Sequence, residues 1–222
     1  MFRKLTITLG FLFTVICTNA TADSRKLVQI VIDNSGALQN SETGQKIQFA
    51  WLQLVARDMQ RGAGQNDLVH IVTTHNPRTV WEGRGSTLLR SYKLLVEPEI
   101  EQVPDGCNEL GAALTRVRQH IARSLADEIE IYVFSSLIPT GAPCDKVRIQ
   151  LPQPVPATID LRSLIQPELT RLSFLWVEEN QEVVWADFVE RSGLLNDLID
   201  YGVAYSIKGE VATRQEIVDM LQ

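Results

Sequence analysis

Apolar positions along this chain keep two rhythms in turn, and their alternation predicts the fold class. Residues 27–32 (LVQIVI) are nearly all aliphatic and run into Asp33-Asn34-Ser35-Gly36. A strand apolar on both faces belongs inside a parallel sheet that helices cover on each side. Further strands are predicted at 67–74 (DLVHIVTT), 128–134 (EIEIYVF), 171–177 (RLSFLWV) and 203–207. Between them the period changes to that of amphipathic helices. Segment 45–61 places Ile47, Ala50, Trp51, Leu54, Val55 and Met59 on one face, and Gly62-Ala63-Gly64 stops it. Segment 108–125 does the same with Leu110, Ala113, Leu114, Val117 and Ile121, and 182–199 and 213–221 follow. Residues 39–44 read as a polar loop. After the Asn76-Pro77 turn, 78–82 (RTVWE) reads as a short antiparallel edge strand. Segment 86–96 fits a short helix or an extended arm equally well. Prolines make 137–156 an extended loop, and Pro167 breaks a short helix within 159–169. The expectation is one α/β domain over 23–222. Its sheet is doubly wound and mostly parallel, with helices on both faces and one antiparallel edge strand.

The first 22 residues stand apart from this pattern. Arg3 and Lys4 precede an apolar or hydroxylic run over 5–16, and Ala20-Thr21-Ala22 follows. That is the layout of a signal peptide cut after Ala22. The run is too short to span a bilayer, which takes about 20 residues. Ile16 stands where a lipoprotein signal before Cys17 would want a small residue. Cleavage removes two cations and no acids, leaving 19 basic against 27 acidic side chains, a net charge of −8. Such a surface repels nucleic acid and anionic lipid. The rest of the chain holds no apolar run long enough for membrane insertion. The expected location is periplasmic in a Gram-negative source and secreted otherwise. Cys107 and Cys144 then remain. An even count in an exported chain points to a disulfide, with two buried thiols as the alternative.

The chemistry collects where strands end. Asp33-x-Ser35-x-Ala37 follows the first strand, Cys107-Asn108-Glu109-Leu110-Gly111-Ala112-Ala113-Leu114 opens a helix, and Ser135-Ser136 closes the fourth strand. In open α/β sheets this is the edge that carries ligands. In order and spacing the three segments resemble the von Willebrand factor A (vWA) domain over residues 26–222. The resemblance implies a doubly wound sheet, a protein-binding role and a metal-ion-dependent adhesion site. That site's pattern is Asp-x-Ser-x-Ser, a Thr before Leu-Gly-x-Ala-Leu, and a distal Asp. Asp33 and Ser35 match its first two ligands. Ala37 lacks an oxygen, Asn108 stands for the threonine, and Ser136 replaces the aspartate. Mg²⁺ wants near-octahedral oxygens with carboxylate help. The set therefore reads as a degenerate, metal-free site with no cofactor; if any cation binds, Asp33, Ser35 and Asn108 would hold it. Asp105, Glu109 and Asp145 are nearby acids that would have to rebuild it. On this reading Asp33, Ser35, Asn108 and Ser136 form a binding site, with loop capping by Asp33 as the competing role. Cys107 and Cys144 would tie two loops of the same edge together.

Enzymatic readings find less support. There is no Gly-x-Ser-x-Gly elbow and no phosphate-binding Gly-x-x-x-x-Gly-Lys loop. Of the three histidines, His70 reads as a core residue, His120 as an exposed helix position and His75 as a loop residue at the site's edge. Trp51, Trp176 and Trp185 read as core, while Trp81 on the edge strand is a candidate exposed partner contact. The expected role is an exported, non-enzymatic protein-binding module, part of or accessory to an envelope assembly. A metal-dependent adhesion module and a hydrolase are the alternatives.

Overall fold

The computed structural model describes residues 25–39, 42–97, 99–100, 103, 106–139 and 154–222. Six strands, β1 (Lys26–Ile32), β2 (Leu68–Thr73), β3 (Thr79–Arg84), β4 (Glu128–Phe134), β5 (Leu169–Val177) and β6 (Ala204–Gly209), form one sheet. Their order is β3-β2-β1-β4-β5-β6, and only the β2–β3 pair is antiparallel. This is the doubly wound, mostly parallel α/β arrangement expected from the sequence. The chain leaves β1 for β2 on one side and later reaches β4 on the other, so a crevice opens above the ends of β1 and β4.

Helices α1 (Gly36–Gln39), α2 (Glu42–Arg61), α3 (Gly85–Ser91) and α7 (Glu210–Asp219) belong with one face of the sheet. Helices α4 (Leu110–Ile121), α5 (Glu179–Arg191) and α6 (Leu194–Asp200) cover the other. Alternation along β1 feeds both cores. Leu27 and Val31 join Leu114, Val117, Phe174 and Trp185. Val28, Ile30 and Ile32 join Trp51, Leu52, Leu88 and Ile217. Each fully buried aliphatic or aromatic side chain contributes about 1.5–3 kcal/mol of transfer free energy, so these two layers fix the height of every strand end.

Several boundaries differ from expectation for local reasons. The polar loop 39–44 is largely helical, because α1 and α2 extend into it from either side. The buried face of α2 is rotated from the expected one. Leu52, Ala56 and Gln48 are buried with Trp51 and Met59, while Ala50 is exposed. Segment 86–96 resolves as α3 followed by a wide helical turn at Tyr92–Val96. The helix expected over 182–199 breaks at Gly193, whose φ of 76° lies in the left-handed region that glycine adopts freely. Segment 159–169 holds only a 3₁₀ turn, Arg162–Leu164. Trp81 is buried at 8 % exposure, not a partner contact. Its place in β3 turns it toward the core around Trp51 and Leu88. No described helix is long and apolar enough to cross a membrane. The expected signal segment, Asp105, Cys144 and Asp145 lie outside the described residues.

Candidate functional site

The sheet's hydrogen-bond ladder continues one residue past its strands, and this places the polar residues side by side. Asp33 N–H donates to the Phe134 carbonyl, Thr74 N–H to Ile32 and Ser135 N–H to Leu175, each at 3.0 Å. Gln48, buried on α2, donates to the carbonyls of Asp33 and Phe134 at 3.2 and 3.4 Å and so braces the ends of β1 and β4. The loop before α4 is held against the first loop by Gly36 N–H to the Gly106 carbonyl (3.1 Å) and Val103 N–H to the Asn34 carbonyl (3.1 Å). Gly106 is required there. A Cβ at this position would come within 2.8 Å of the His75 ring and 2.9 Å of Val103.

Asp33 occupies the middle of this convergence and is fully buried. One carboxylate oxygen, Oδ1, accepts from the Ser35 N–H (3.0 Å), the Ser35 hydroxyl (2.6 Å) and the Thr74 hydroxyl (2.9 Å). The other, Oδ2, accepts from the Asn108 amide (3.1 Å) and the Ser135 hydroxyl (2.7 Å), with Ser136 Oγ farther off at 3.5 Å. The Asn108 amide also donates to Ser135 Oγ at 3.0 Å, and Leu137 N–H donates to the same oxygen at 3.1 Å. Every group around the carboxylate thus offers it hydrogen. Asp33 is bound as an anion would be bound in a receptor, by charge-assisted hydrogen bonds from all sides.

All four residues singled out from the sequence, Asp33, Ser35, Asn108 and Ser136, meet at this point. Two more belong with them. Thr74 directly follows β2, and Ser135 lies closer to Asp33 than the expected Ser136 does. Their sequence signal was only their position, the first polar residue past a buried strand. Glu109 does not face the cage. It is exposed, and its carboxylate accepts the Asn76 N–H at 2.9 Å, holding a turn whose φ is 46°.

A divalent cation does not fit this donor set. A cation needs oxygen lone pairs converging on one empty point. Among the described residues the one carboxylate at this point, Asp33, has donors on both oxygens, Ala37 offers no oxygen, and Asn108 presents N–H to Asp33.

A second polar cluster lies on the α4 face near the β3 edge. His70 is buried and His120 partly so, which corrects the expected exposure of His120. Their rings stack at 3.9 Å and 11°. Thr79 hydroxyl donates to His70 Nε2 (2.8 Å), His70 Nδ1–H to Gln29 Oε1 (2.6 Å), and Gln29 Nε2–H to His120 Nδ1 (2.8 Å). His120 Nε2 then lies 3.3 Å from a Glu82 oxygen. The one amide of Gln29, between two rings, sets both tautomers. Although ligand atoms of His70, Glu82 and His120 lie within 4.8 Å of one another, the two parallel rings cannot aim their lone pairs at a single ion. Burial, and next the neighbouring His120, push the His70 imidazole down to about 4.

No known family pattern matches this sequence, and no curated protein matches it. Its fold is shared with several solved structures. The PilB minor pilin from Streptococcus sanguinis aligns over 89 % of this chain with a TM-score of 0.51 and 11 % identity. A D319A mutant of the same pilin gives 0.54 and 12 %. The chain spans 60 % of the pilin's length. The N-terminal domain of TFIIH p34 aligns with a TM-score of 0.55 and 14 % identity, over 90 % of this chain and 98 % of that domain. Identities this low establish the shared fold and nothing further.

Proposed function

We propose that this chain is an exported, non-enzymatic protein-interaction module working in the cell envelope or at the cell surface. Its partner engages the loops at the C-terminal edge of the sheet, and the surroundings are those of a surface assembly such as a pilus. The observation that carries this reading is the cage around Asp33. Where a vWA-like domain would hold a cation, this chain has hydroxyls and an amide donating to the carboxylate. The site is then a degenerate, metal-free one that locks three loops into a fixed presenting surface. Fold likeness to a minor pilin and the signal-like first 22 residues favour export and assembly.

A hydrolase reading lacks a base. Among the described residues no imidazole bonds to Ser35, Ser135 or Ser136, and His75 meets the site through its backbone N–H, which donates to Asn34 Oδ1 at 2.8 Å. Crosslinking in the native envelope is expected to recover a partner protein joined through these loops. Ester or phosphate turnover that vanishes in Asp33→Ala or Ser35→Ala would instead make the chain an enzyme and end the proposal.

A Cys107–Cys144 disulfide belongs to the same reading, tying the loop before α4 to the loop after β4. The export of both cysteines supports it. Free-thiol titration of the unfolded, unreduced mature protein is expected to find none, and finding two would refute the bridge.

A further inference from the structure

Beside the Asp33 cage the ends of β5 and β6 enclose a groove of about 730 Å³. The two are adjacent through the backbone, because Glu178 N–H donates to the Ser136 carbonyl at 3.1 Å. The groove is lined by Ile207 and Val211 together with four acids, Glu178, Glu179, Glu182 and Glu210. Val211 is 83 % exposed, an uncovered apolar side chain at the groove's edge.

Charge separates this groove from a second concavity of about 520 Å³. That one, beneath α2 and α7, is also rich in acids, but Lys26 pairs with its Glu128 and Glu130 and Lys208 with its Glu216. In the groove, Glu210 pairs with Arg214, whereas no cation lies within ion-pair distance of Glu178, Glu179 or Glu182 among the described residues. No lysine or arginine lines it. Part of this charge complements the N-terminus of α5, whose first turn carries Glu179 and Glu182. That accounts for acids at this helix end, but not for the exposed Val211 beside them.

The backbone beside the groove is strained. Trp176, a bulge residue of β5, has a φ of 60°, unusual for a bulky side chain. It is held there by its N–H bond to Thr213 Oγ1 at 2.8 Å, by stacking on Phe134 and by the Arg214 guanidinium over its ring. A residue over-determined in a costly conformation marks a place where shape matters.

We infer that this groove is the partner-docking surface, and that it takes an extended segment of a partner protein in which lysine or arginine flanks an apolar side chain. The apolar residue would sit over Ile207 and Val211, and the cations would meet the groove's carboxylates. The inference rests on the protein-binding reading above and gives it a location and a chemistry.

The test titrates the mature protein into a fluorescein-labelled seven-residue peptide alternating lysine and valine, read by anisotropy. Saturable binding is expected, with affinity falling tenfold or more in Glu178→Gln/Glu179→Gln and at least threefold in Val211→Ser. A control, Asp58→Asn/Glu97→Gln, removes as much charge elsewhere and should change affinity less than twofold. Equal loss in control and groove variants, or no saturable binding by the wild type below about 1 mM, would overturn the groove. Native-envelope crosslinks are expected at 176–182 or 207–212. Should a partner be recovered with crosslinks only at 33–37 or 106–110, the groove assignment fails while the binding role stands. Turnover dependent on Asp33 would remove the binding role itself.

Discussion

Replacing Asp33 by alanine is expected to lower the unfolding free energy by about 3–5 kcal/mol, the range seen when one partner of a buried charged network is removed. The reason is the direction of its hydrogen bonds. Ser35, Thr74, Asn108 and Ser135 all donate to this carboxylate, and all are buried with it. Without the acceptor their donors face one another, and each orphaned donor costs about 1–3 kcal/mol. For a domain of this size the melting temperature should fall by roughly 6–20 °C, at about 2–4 °C per kcal/mol. Asn in place of Asp should recover little, since its amide would bring two further donors to a site already full of them. Equilibrium urea unfolding measures the loss.

The second large effect is acid lability through His70. Its imidazole is held neutral in the fold, lowered to about 4 by burial and then by the stacked His120. Glu82 on β3 opposes that shift and Arg116 on α4 reinforces it. Gln29 on β1 and Thr79 on β3 complete its surroundings. The unfolded chain takes up this proton near 6.5, whereas the folded chain does so only near 4. The unfolded state therefore binds more protons between those values, and stability falls as the pH drops. The contribution is whole above pH 6.5, declines from there to pH 4 and is flat below. Its full size is roughly 3 kcal/mol, at 1.36 kcal/mol per pH unit. Unfolding free energies from urea titrations at pH 7.5 and 4.5 should differ by about 2–3 kcal/mol more in the wild type than in His70→Gln. Equal losses in both proteins would mean that His70 does not govern the acid response.

Sequence periodicity served well wherever one physical term dominated. The ends of β4 fell where the apolar run does, and the five buried positions of α4 were those expected, because a buried strand or a one-sided helix writes its period directly. Boundaries slipped where polar residues do structural work. Gln48 points inward to brace two strand ends, so its place on α2 rotates the buried face away from the one counted from apolar residues alone. Gly193 divides one apolar period into two helices, a break that hydrophobicity does not record.

The site was legible in part. Asp33, Ser35 and Asn108 were recoverable from motif spacing, and the lost oxygen at Ala37 from composition. What the spacing could not give was the direction of hydrogen bonding. Whether Asn108 coordinates through its oxygen or donates through its nitrogen depends on what it faces, and it faces a carboxylate. Thr74 and Ser135 were missed because their motif positions carry no ligand in the pattern being matched. They become visible once Asp33 is asked where its lone pairs go. The groove over β5 and β6 was likewise silent, since it joins two segments, 176–182 and 207–215, that lie 25 positions apart in the chain.

Calorimetric titration of the mature protein with Mg²⁺ and Mn²⁺ weighs most directly on the idea that internal donors stand in for an ion. Wild type and Asp33→Ala are both expected to give only heats of dilution up to millimolar metal. Saturable binding by the wild type that disappears in Asp33→Ala would mean that the cage opens to a cation, and the account built on it would fail.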